Sequence, residues 1–65
     1  MDLQTVKKTV PDLFIYRGIP FRMIHYSKEG GYGKNKQRSR EIIWESEDKR
    51  YSIFLNENYI TFEPN

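Results

Sequence analysis

The stretch REIIWESEDKRYSIFLNENYITFE, residues 40–63, decides the fold. Three runs rich in β-branched and aromatic residues, REIIWE, RYSIFL and YITFE, are divided by two short polar segments, SEDK and the residues around NEN. Runs of this length and composition, separated by turn formers, read as consecutive antiparallel strands. The side chains suggest a register. A four-residue turn over 46–49 sets Glu45 against Arg50, Trp44 against Tyr51 and Ile42 against Ile53. A tight second hairpin sets Phe54 against Tyr59, Ile53 against Ile60, Tyr51 against Phe62 and Arg50 against Glu63. Opposite charges then face each other and rings meet apolar partners, as cross-strand pairs favour. One face collects Ile42, Trp44, Tyr51, Ile53, Leu55, Ile60 and Phe62, the expected core side. A slip of one residue would scatter that set over both faces.

The opposite face carries Ile43, Phe54 and Tyr59 among Glu41, Glu45, Arg50, Ser52, Thr61 and Glu63. An apolar strip of this kind calls for a cover. The candidates are the chain's own N-terminal segment, closure of the sheet into a small barrel, a protein partner or a second copy.

Upstream, residues 1–10 have helical periodicity. Asp2 suits an N-cap, Leu3, Val6 and Val10 recur on one face, and Pro11 stops continuation. Lys7 and Lys8 fall near the C-terminal end, where the helix dipole favours positive charge. The runs LFIY and FRMIHYS, divided by RGIP, read as a first hairpin over 13–27. Residues 28–39 read as a basic, glycine-containing loop and 40–63 as the three-stranded meander. The expectation is a single α+β domain over 1–65, a short N-terminal helix plus a strongly bent antiparallel meander of about five strands. Its outline resembles small SH3-like barrels, without a shared residue motif.

With 65 residues and no cysteine, the core must come from packing alone. Ten aromatic residues supply it generously. The start MDLQTVKK has no apolar leader-like run, and LFIY, the longest apolar run, is far too short to cross a bilayer. A cytoplasmic protein without membrane contact is the expectation, of the kind that serves a bacterium or its phage as an accessory.

Charge is laid out unevenly. Residues 17–40 hold seven basic residues against Glu29, a local +6, whereas 41–65 hold two against six acidic ones, a local −4. The densest run is KNKQRSR, with Lys34, Lys36, Arg38 and Arg40 at every second position. On an extended backbone that spacing lines cations along one side, a row suited to phosphates. Arg22 and Lys28 could support it, and Tyr32, between Gly31 and Gly33, could stack on a base. The first functional expectation is therefore a small non-enzymatic protein binding the backbone of DNA or RNA. The alternative is a protein-interaction module, a regulator or inhibitor of a larger machine or a homodimer, using Ile43, Phe54 and Tyr59. The plainer reading of the basic run is a solvated connection.

Sharper chemistry is poorly supported. Lys28 stands where a P-loop needs its first glycine and Asn35 where it needs Ser or Thr. One histidine, no cysteine and no interpretable carboxylate pair leave no expected metal, cofactor or catalytic set. The single enzymatic form to consider is a metal-independent ribonuclease, with His25 as acid-base group and Arg38 or Arg40 on the phosphate.

Overall fold

The computed structural model describes residues 1–29, 39–56 and 59–65, with 28, 29, 39 and 40 described by their backbone and its pairing. The order is α1 (Leu3–Thr9), β1 (Leu13–Tyr16), β2 (Ile19–Glu29), β3 (Ser39–Ser46), β4 (Tyr51–Asn56) and β5 (Tyr59–Pro64). The strands form one antiparallel sheet in sequential order, curled into a half-barrel. The expected α+β meander with one short helix is therefore the observed architecture. Among the described residues no helix is long and apolar enough to cross a membrane.

Helix α1 begins where Asp2 accepts the Thr5 N–H at 2.8 Å. It ends at Val10, whose φ of 46° is left-handed and whose N–H returns to the Val6 carbonyl at 2.8 Å. A β-branched residue is costly there, but Val10 also packs against the core. The helix drops Val6 into the concave side of the sheet, beside Phe14, Phe21, Ile42, Trp44, Ile53 and Leu55. Trp44, fully buried, donates its indole N–H to the Pro11 carbonyl at 2.7 Å, which anchors the segment between helix and sheet.

The first hairpin turns at Arg17 and Gly18 alone, with Ile19 and Pro20 already in β2. Both turn residues have positive φ, 53° and 75°, the requirement of the two-residue turn whose twist matches paired strands. Arg17 lies over the rings of Tyr16 and Phe62, each centroid 5.3 Å away. Tyr16 and Phe62 meet edge to face, so the free edges of β1 and β5 approach through side chains rather than a ladder.

Both meander hairpins carry the expected face in a different register. Trp44 lies opposite Ile53 and Ile42 opposite Leu55, while Ile53 lies opposite Phe62 and Leu55 opposite Ile60. Each pairing is displaced by two residues from the expected one, which preserves every side chain's face. The turn chemistry explains the first shift. Ser46 stays in β3, its hydroxyl donating to Asp48 and accepting the N–H groups of Arg50 and Tyr51. Lys49 takes the left-handed conformation, φ 63°, and the turn occupies 47–50. Arg50 therefore faces neither Glu45 nor Glu63, and Ser52 lies opposite both.

The expected loop over 28–39 is shorter at both ends, because Glu29 still pairs with Ser39 and Lys28 with Arg40. Residues 30–38 lie outside the described residues.

Candidate functional site

The β2–β3 ladder contains an irregularity that decides where its basic end points. Met23 lies opposite Trp44 and His25 opposite Ile43, so Ile24 is an extra residue, a β-bulge. A bulge reverses the side-chain parity of everything beyond it. Phe21 and Met23 lie on the concave face before the bulge. After it, Tyr26 and Lys28 take that face while His25 and Ser27 take the convex one. Strand β3 continues its alternation without interruption, so Arg40, Ile42 and Trp44 share the concave face. Lys28 and Arg40 are thus directly opposed on one side of the sheet.

Lys28 opposite Arg40 and Glu29 opposite Ser39 extend past the last paired residues of β3 and β4, Glu41 and Asn56. Among the described residues this end of the sheet is a two-stranded ribbon. Tyr32, Lys34, Lys36 and Arg38 lie outside the described residues. Arg22 is exposed on the convex face opposite Glu45, away from Lys28 and Arg40.

Tyr26 precedes the cationic pair by one concave position. It lies opposite Ile42, which in turn lies opposite Leu55. Ile42 and Leu55 have no solvent exposure, whereas Tyr26 is 50% exposed. Eight of the nine described aromatic residues touch another ring, and Tyr26 is the exception. The sequence reading passed over it in favour of Tyr32, since the bulge that turns Tyr26 to the concave face has no composition signal.

His25 sits on the convex face, its Nε2 3.6 Å from a Glu41 carboxylate oxygen, both side chains about half exposed. Of the two arginines considered as its phosphate partners, Arg38 lies outside the described residues and Arg40 is described by its backbone alone. Among the described residues no three of His, Asp or Glu cluster as metal ligands.

The residues of the expected apolar strip lie together on the convex face, among polar neighbours such as His25 and Thr61. Ile43 and Phe54 are directly opposed and half-buried, and Phe54 touches Tyr59, with ring centroids 6.5 Å apart. Exposed Ile24, Leu13 and Ile15 extend the apolar character toward β1, and Leu13 and Ile24 flank a shallow depression with Arg22 and Glu45. Helix α1 covers the concave face instead, so it does not provide the cover expected for this strip. No family model, curated protein or solved structure matches this chain.

Proposed function

We propose that this protein is a small non-enzymatic nucleic-acid-binding accessory protein whose basic ribbon contacts the phosphate backbone. The observation that carries the reading is the bulge-set register, in which Lys28 and Arg40 are opposed on one face at the end of the β2–β3 ladder. Like charges directly opposite each other destabilise a sheet. An anion between them reverses the sign of that interaction, and a polyanion also satisfies Lys34, Lys36 and Arg38 in the adjoining segment. The acidic end of the chain lies beyond the ribbon in sequence and leaves the +6 middle locally dominant.

The test is fluorescence anisotropy with labelled single-stranded and duplex DNA and RNA over a range of salt. Binding is expected to weaken steeply as salt rises. Replacing Lys34, Lys36, Arg38 and Arg40 together by Gln should abolish it near physiological salt and reduce the logarithmic salt slope by about 3 for a single strand. Unchanged binding in that variant would refute the assignment.

A second reading is favoured by one observation, the exposure of Ile24 and Tyr59 beside half-buried Ile43 and Phe54 on the face opposite the helix. It makes the convex face a self-interaction surface, two copies packing sheet against sheet. Sedimentation equilibrium decides it: a dimer that Phe54→Ser dissociates supports the reading, and a monomer at high concentration removes it.

A further inference from the structure

We infer that Tyr26 is a stacking platform for a base of single-stranded nucleic acid, whose adjacent phosphate is held by Lys28 and Arg40. This deepens the reading above and rests on it. The ring belongs to the core face by register yet remains half exposed, and it lacks the ring contact that the other eight described aromatics have. Ile42 and Leu55, both fully buried, form a firm backing along the same cross-strand row. Among the described residues the Tyr26 hydroxyl has no hydrogen bond that would explain the ring's position as structural.

The spacing suits a nucleotide. Lys28 is two residues further along the same face, about 7 Å at the rise of an extended strand, and Arg40 is its neighbour on the next strand, about 5 Å across. A base over Tyr26 therefore has the backbone positions of two basic residues within about one nucleotide's length. Stacked duplex bases present no free face to such a platform, so the surface selects single strands; aromatic stacking tolerates any base because each has a π-face. In this sequence the bulge at Ile24 sets the register in which Tyr26 and Lys28 share a face with Arg40.

Anisotropy titrations with a thymidine oligonucleotide, the matching uridine oligonucleotide, an abasic oligonucleotide of equal length and a duplex separate base from phosphate. Wild-type protein is expected to prefer the single strands with bases over the abasic strand and the duplex. Tyr26→Ala should weaken binding of the thymidine strand by roughly 5- to 150-fold. The same variant should leave abasic-strand binding and the salt slope unchanged, and Tyr26→Phe should retain wild-type affinity. Should Tyr26→Ala unfold, Tyr26→Leu keeps apolar bulk without a π-face and is expected to behave in the same way.

If Tyr26→Ala or Tyr26→Leu binds the thymidine strand like wild type while the basic-to-Gln variant does not, the platform is refuted and the phosphate reading stands. If both weaken abasic and thymidine strands equally, Tyr26 has a structural role only, and the platform is again refuted. If wild-type protein binds none of the strands at low salt, the underlying reading fails and the platform with it. The thymidine and uridine arms report whether the strand is DNA or RNA.

Discussion

Ser46 concentrates three hydrogen bonds on one buried hydroxyl: it donates to Asp48 Oδ1 at 2.6 Å and accepts from Arg50 and Tyr51 N–H at 3.1 and 3.0 Å. Arg50 N–H has a second acceptor in Asp48, whereas removal of the hydroxyl takes this acceptor from Tyr51 N–H. Ser46→Ala is therefore expected to destabilise the protein by about 2 kcal/mol, read from urea unfolding, as for a buried donor left without its partner. The same turn is sensitive to acid. Hydrogen bonds from the Ser46 hydroxyl and then the Arg50 N–H hold the Asp48 carboxyl below its ordinary value of 3.8. A carboxyl depressed on folding stabilises the protein above its unfolded pKa, and that contribution disappears as pH falls through the folded pKa. Acid titrations of unfolding should thus lose a component below about pH 4 that Asp48→Asn lacks. Gly18 presents a simpler case: a Cβ there would meet no atom within 4 Å, but φ is 75°. Gly18→Ala should cost about 1 kcal/mol through the backbone alone, measured by the same unfolding curves.

At the scale of elements, the meander's face was legible and its register was not. Alternation of Ile42, Trp44, Ile53, Leu55, Ile60 and Phe62 identifies the core side whatever the even displacement, because strand periodicity is two. Charge complementarity of Glu45 with Arg50 suggested a pairing, but such exposed pairs contribute only tenths of a kcal/mol. The buried Ser46 hydroxyl and its turn outweigh them. The short helix was readable from Asp2, its apolar spacing and Pro11, since capping and periodicity are local properties. The bulge was invisible in sequence, because Ile24 resembles any strand residue and its role depends on both neighbours. That blind spot extends to the candidate site, because the bulge sets the register that brings Tyr26 opposite Ile42. Deleting Ile24 should leave His25 opposite Ile43 and Tyr26 opposite Ile42, with the twist reduced. Cross-strand nuclear Overhauser effects between β2 and β3 would check it, and a flipped Tyr26 would contradict the proposed register logic. Val6 tests helix docking: Val6→Ala should lower stability by about 2 kcal/mol through lost burial.

Across the whole molecule, order is expected to be graded along the sheet. The centre has five strands, one face filled by aromatic and aliphatic side chains, and a helix over it. At the Lys28–Arg40 end the described residues pair as two strands. Native-state hydrogen exchange should therefore be slowest at Phe21, Trp44 and Ile53 and fast at Lys28 and Arg40. Addition of a thymidine oligonucleotide should slow exchange at the ribbon while leaving α1 unchanged, and uniform slowing would point to a different surface. In a domain of this size each kcal/mol moves the melting temperature by about 4–8 °C, so the core substitutions above are visible in a thermal scan.

Trp44, the chain's single tryptophan, sits with no solvent exposure and its indole N–H on the Pro11 carbonyl. The molecule thereby carries its own optical gauge. Emission should be blue-shifted in the folded protein and move to the red on unfolding, when the indole reaches water. Because the ring touches Phe14 and bonds the segment after the helix, the signal also reports undocking of the N-terminal third before the sheet opens. Stability can then be followed at low protein concentration, without labels, during the same titrations that examine the ribbon at the opposite end of the strands.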